Sequence, residues 1–108
     1  MTVELAKPVM AYFQGTSHLN VDAILAPFAD DAEVQDEGRV HRGRDSIREW
    51  IEEATIGNKA IANPKSVTSE ADQQIVRAEV SGAFPGAPIT LTFRFTIAGD
   101  RITRLKIS

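Results

Sequence analysis

Ile89-Thr90-Leu91-Thr92-Phe93-Arg94-Phe95-Thr96-Ile97 decides how the rest of the chain is read. Its apolar side chains recur at every second position, opposed by threonines and an arginine. Strict period two is the pattern of a strand with one buried face. Ala98-Gly99-Asp100 closes this strand in a tight turn, and residues 102–107 return as a final strand. On the other side, residues 75–80 alternate too. They join the central stretch through residues 81–88, a connection carrying Gly82, Pro85, Gly86 and Pro88. From about Ile61 onward the chain therefore reads as antiparallel strands.

Upstream, the period becomes helical. Ile47, Trp50, Ile51 and Ala54 fall at i, i+3, i+4 and i+7, an apolar stripe ended by Gly57-Asn58. This helix is the best cover for the long apolar face of the sheet. Arg48 and Glu52 lie one turn apart on its exposed side. Ala6, Val9, Met10 and Phe13 repeat the stripe on a first helix, with Pro8 in its first turn and Gly15 at its end. Asn20 reads as the N-cap of a second helix with Val21, Ile24, Leu25 and Phe28 inward, kept short by Pro27. Ala32, Val34 and Asp36 then alternate with Glu33 and Gln35 as a half-buried strand, and Asp36-Glu37-Gly38 is turn chemistry. The expected order is α-α-β-α-β-β-β-β. Three helices in the front half with a sheet behind imply one α+β domain over residues 1–108.

Composition narrows the partners. Twelve Lys and Arg against 15 Asp and Glu leave a net charge of −3, a poor basis for gripping phosphate backbones, so no nucleic acid is expected. Without cysteine there is neither a thiolate nucleophile nor a Cys-based zinc site. The only histidines, His18 and His41, are too far apart in sequence for a helical metal pair, so no metal is expected. No glycine-rich phosphate loop and no serine elbow occurs, and no cofactor is implied. No apolar run approaches the roughly 20 residues that span a bilayer. MTVELAKPVM has neither a basic start nor a continuous apolar stretch, so no membrane contact, no secretory leader and a cytoplasmic location are expected.

Phe28-Ala29-Asp30-Asp31-Ala32-Glu33-Val34-Gln35-Asp36, followed by Gly43-Arg44-Asp45-Ser46-Ile47, resembles the nuclear transport factor 2-like superfamily. That group includes the SnoaL-like polyketide cyclases and ketosteroid isomerase. The Phe93–Ile107 hairpin fits as well, and residues 81–88 resemble a segment of SnoaL-like proteins. The resemblance implies a cystatin-like, curved, antiparallel or mixed sheet around a cone-shaped pocket closed at one end by helices. It implies homodimers through the outer sheet face, here carrying Thr90, Thr92, Arg94 and Thr96 with Arg77 and Glu79 beside them. The pocket would take a small, largely apolar organic ligand, either as a proton-transfer isomerase or cyclase or, in a different class, as a non-catalytic dimeric module with a filled pocket.

Alignment with ketosteroid isomerase implies Asp36 as general base and Tyr12 as the oxyanion-hole tyrosine. That enzyme's second oxyanion donor, a protonated aspartic acid, falls near Phe93 or Thr92, and neither supplies a carboxylic acid. One missing donor costs on the order of 3 kcal/mol of transition-state stabilisation, which argues against steroid isomerisation. The residues themselves carry a second reading. Asp36 shares strand parity with Ala32 and Val34 and so points inward, where desolvation raises a carboxylate's pKa; equally, it starts a turn and bonds backbone N–H groups. Tyr12 lies at the margin of its helix's apolar face and is either a hydrogen-bond donor or a packing residue. His41, in a loop before the third helix, is an acid or base candidate or an exposed side chain. Phe28, Val34, Trp50, Phe84, Phe93 and Leu105 serve as core, as ligand-binding walls, or as both. Arg39, Arg42, Arg44 and Arg48 read as a local salt-bridge network with Asp36, Glu37 and Asp45.

Overall fold

The computed structural model describes residues 4–108, so the first three residues of the segment read above for a leader lie outside it. Three helical segments cover a six-stranded sheet. Helix α1 (Lys7–Ser17) and helix α2 (Val21–Leu25) come first, followed by strands β1 (Phe28–Asp36) and β2 (Arg39–Arg42). Helix α3 (Gly43–Trp50) runs on into a π-helical turn (Ile51–Ile56). Strands β3 (Ile61–Glu70), β4 (Gln73–Ser81), β5 (Ile89–Ala98) and β6 (Arg101–Ile107) complete the chain. The sheet order is β2-β1-β6-β5-β4-β3, mixed, with β1 and β6 parallel and every other pair antiparallel.

The alternation of β5 holds at its centre, where Phe93 and Phe95 are buried and Arg94 between them is exposed, but Ile89 at its start is 43% exposed. Register shifts between Phe28 and Glu33 in β1, Pro64 and Ser66 in β3, and Thr96 and Ile97 in β5 bend the sheet into a curved, unclosed cone. Pro64 is tolerated because β3 is an edge strand, where a missing ladder donor costs little. Phe28, Phe95, Ile24, Ile47, Ile51, Ile102 and Leu105 are fully buried at the heart of the core.

Local chemistry explains the front half, with corrections. Pro8 does lie in the first turn of α1, and the Asn20 side chain accepts the Ala23 N–H at 3.0 Å, capping α2. Gly15 does not end α1. It sits where α1 and α2 touch, and a Cβ there would lie 2.8 Å from the Ile24 nitrogen. Met10, expected inward, is 43% exposed; α1 instead buries Val9, Tyr12, Phe13 and Thr16. One strand more than expected is present, because Glu37 (φ 52°) and Gly38 (φ 75°) form a two-residue hairpin turn that folds β2 back onto β1. The arginines do not pair with Asp36, Glu37 or Asp45 among the described residues. Arg42 meets Glu33 at 3.1 Å, Arg48 meets Asp22 at 2.8 Å, and Arg44 donates to the Phe28 carbonyl at 2.6 Å. No helix among the described residues is long and apolar enough to cross a membrane.

Gly15 carries a prediction. Gly15→Ala must push α1 off α2, and overpacking of this kind costs about 1–3 kcal/mol. Urea unfolding checks it; an unchanged midpoint contradicts the close approach.

Candidate functional site

The cone encloses a cavity of about 570 Å³, open on one side and within the usual size for small-molecule sites. Tyr12 reaches it from α1, Asp36 from the end of β1, His41 from β2 and Trp50 from α3. The π-helical turn adds Glu53, Ala54 and Thr55; Ala62, Val80, Leu91, Phe93 and Ile107 line it from the sheet, and Phe84 and Pro85 from the β4–β5 loop. Apolar walls thus meet polar side chains from α1, β1, β2, α3 and the π-helical turn, with Thr16, Glu37, Arg39 and Asn58 also at the cavity.

Asp36 is half-buried and its Oδ2 accepts the Trp50 indole N–H at 3.0 Å. Its side chain therefore faces the cavity, held by a tryptophan, and does not cap backbone amides. Among the described residues Oδ1 has no protein partner, and no cation pairs with the carboxylate, although Arg39 stands opposite Asp36 in the hairpin register. His41 is on a strand, opposite Val34, and its ring lies 6.2 Å from that of Trp50 at an angle of 36°.

Tyr12 is 2% exposed and sits at the centre of its helix's inner face. Its ring packs edge-on against Phe13, Phe28 and Phe95 at centroid distances of 5.2, 6.0 and 5.4 Å. No polar atom fully sealed among the described residues lacks a partner, and Tyr12 borders the cavity, so its hydroxyl opens onto the cavity. Burial first, and the Asp36 charge second, push that hydroxyl well above the ordinary phenol value. It is a neutral donor at every physiological pH. The unfolded chain ionises near pH 10, so stability falls as pH rises above that value while the folded phenol stays protonated. Tyr12 is the single tyrosine. Phenolate absorbance is expected to appear above about pH 10 only together with loss of the fold; ionisation near pH 10 in the intact protein contradicts the burial argument.

The structure thus brings Asp36, Tyr12, His41, Trp50, Phe84 and Phe93 to one cavity. It does not bring Phe28, Val34 or Leu105 there: all three are fully buried in the core beneath the walls. Sequence reasoning missed Thr55. A continuous α-helix from Ile47 would turn Ala54 inward, whereas the wider π turn after Trp50 buries Thr55 and leaves Ala54 half-buried. Glu53, also on this rim, carried no sequence signal, and Asn58 carried one only as a helix end. No group of acidic and histidine side chains suited to a metal occurs among the described residues.

A half-open cone with these walls defines a class. The chain belongs to the SnoaL-like domain family, whose model matches residues 9–105. Among solved structures it is similar to a protein from Sinorhizobium meliloti described as a candidate polyketide cyclase. The two are 43% identical with a TM-score of 0.91, over 96% of this chain and 95% of that one. A protein of ketosteroid isomerase-like fold from Catenulispora acidiphila, solved in complex with trimethylamine, is 21% identical with a TM-score of 0.83, over 99% and 86% of the two chains. The Anabaena orange carotenoid protein binding canthaxanthin is 22% identical with a TM-score of 0.85; all of this chain matches 38% of that one. The last two establish likeness of fold. No functionally curated protein matches the sequence.

Proposed function

We propose that this SnoaL-like domain binds a small, largely apolar carbonyl compound in the cone and moves a proton on the carbon beside the carbonyl. The observation that carries this reading is the convergence of the Asp36 carboxylate and the Tyr12 hydroxyl on one apolar-walled cavity. Asp36 takes the proton, with Oδ2 anchored by Trp50 and Oδ1 directed at the ligand. Tyr12, kept neutral by burial, donates to the oxygen on which negative charge develops. Phe93 offers no second donor, so the reaction is one with less charge to stabilise than steroid isomerisation, of isomerase or cyclase type. His41 stands at the rim as the group through which the proton returns. The Sinorhizobium relative, described as a candidate polyketide cyclase, supports a cyclase-like substrate.

A purely interacting module with a filled interior is the weaker reading, since the cavity is open. Two copies would meet through the outer sheet face around Arg77, Thr92 and Arg94, all turned away from the cone. Thermal-shift screening with cyclic ketones tests the reading. A ligand at 100 times its Kd adds about 2.7 kcal/mol of stability, and quenching of Trp50, the only tryptophan, reports occupancy of the cavity. Absence of both signals across the series overturns ligand binding.

A further inference from the structure

Phe84 differs from the other apolar walls in its mounting. Val80, Leu91 and Phe93 stand on paired strands, and Trp50 on a helix, whereas Phe84 is half-exposed on the loop between β4 and β5. That loop is nonetheless tied down. Phe84-Pro85-Gly86-Ala87 makes a turn closed by the Ala87 N–H donating to the Phe84 carbonyl at 3.3 Å. Proline stands second and glycine third with φ 87°, the type II arrangement.

One residue earlier, the Ala83 N–H donates to the carbonyl of Asn58 at 2.7 Å. The Asn58 side chain donates in turn through Nδ2 to the Ala54 carbonyl at 3.0 Å, inside the π-helical turn. Gly82 makes this approach feasible: a Cβ there would lie 2.6 Å from the Asn58 oxygen and 3.0 Å from that of Lys59. Such contacts leave no room for a side chain.

We propose that the π-helical turn and the β4–β5 loop form one strapped unit, centred on Asn58, that holds Phe84 as the wall setting the largest ligand the cavity accepts. Asn58 is a positioning residue in this arrangement and Phe84 a specificity-determining one. The inference rests on the reading that the cavity binds an apolar carbonyl compound, and it adds which part of the chain decides size. A wall on a strand cannot retreat without breaking the hydrogen-bonded ladder. Phe84 retreats when the contact at Asn58 is lost, so size selection is concentrated there.

The test uses the full chain and a homologous series of cyclohexanones bearing straight alkyl tails of increasing length, with binding read by Trp50 fluorescence. In the unsubstituted protein, affinity is expected to rise about fourfold per added methylene and then stop rising at a definite length. Phe84→Ala is expected to move that cut-off to longer tails, the added methylenes each regaining about fourfold. Gly82→Ala removes no cavity atom, yet displaces the strap, and is expected to move the cut-off the same way. Asn58→Ala is expected to blur it. Phe84→Leu keeps a smaller wall, gives an intermediate cut-off, and serves if Phe84→Ala does not fold.

An unmoved cut-off in folded Phe84→Ala and Gly82→Ala overturns the assignment. So does a uniform loss of affinity at every length, which marks Phe84 as apolar area alone. If no member binds the unsubstituted protein, the ligand-binding reading itself fails and this inference falls with it.

Discussion

Phe95→Ala is expected to cost about 3–5 kcal/mol, the range for truncating a fully buried aromatic. Phe95 is fully enclosed and joins the helices to the sheet through one aromatic cluster. Its ring lies 5.4 Å from Tyr12 and 5.6 Å from Phe13, both edge-on, and 6.3 Å from Phe93, stacked. Removing it takes packing from α1 and β5 at once and leaves a void that neighbouring strands, fixed by their hydrogen bonds, cannot close. Small domains hold only about 5–15 kcal/mol in total, so a large part of the stability goes. Tm falls by more than about 10 °C. The damage also reaches the site, because Tyr12 rests on this ring. Urea unfolding measures it, and a loss below about 1 kcal/mol would show that the cluster does not join the two layers.

Asp36→Asn is expected to slow α-proton exchange of a bound cyclic ketone in deuterated water by about 10²–10⁴-fold, the usual contribution of a positioned base. Asparagine keeps the shape and can still accept the Trp50 indole N–H through its amide oxygen, so affinity for the ketone stays within a few-fold. Loss of rate with retained binding identifies a base. Loss of both identifies a structural side chain, and an unchanged rate removes Asp36 from the chemistry. The hydrogen bond to Trp50 explains why a conservative change is needed: a shorter residue would also release the indole.

The elements legible in the sequence were those whose signal is local. The alternation around Phe93 and Phe95, the side-chain cap at Asn20 and the stop at Pro27 each act within a few residues and are where the pattern puts them. Period two lapses at Ile89, 43% exposed, and at the Thr96–Ile97 bulge. Strand β2 was not legible, since Arg39-Val40-His41-Arg42 is a short edge strand whose only strong signal is the Glu37-Gly38 turn before it. With it, His41 moved from a loop to a ladder position opposite Val34.

Periodicity named the inward face of a helix without its centre. Tyr12 displaced Met10 because the buried stripe of α1 runs through Val9, Tyr12, Phe13 and Thr16, itself spaced i, i+3, i+4 and i+7, a stripe the periodicity admits equally well. The π turn is invisible to a 3.6-residue count, and Thr55 with it. For the site, parity identified which strand residues face the cone but not how deep they lie. Phe93 reaches the cavity, while Val34 and Leu105, also inward, are sealed beneath it. The bond between Asp36 and Trp50, 14 residues apart, arises only when α3 packs on β1.

The most direct measurement is nuclear Overhauser contact between a bound cyclic ketone and the protein's aromatic rings. Contacts to Trp50, Tyr12 and Phe93 are predicted, because those rings border the cavity. Contacts confined to the outer sheet face around Arg77 and Thr92, with none to those rings, would contradict it.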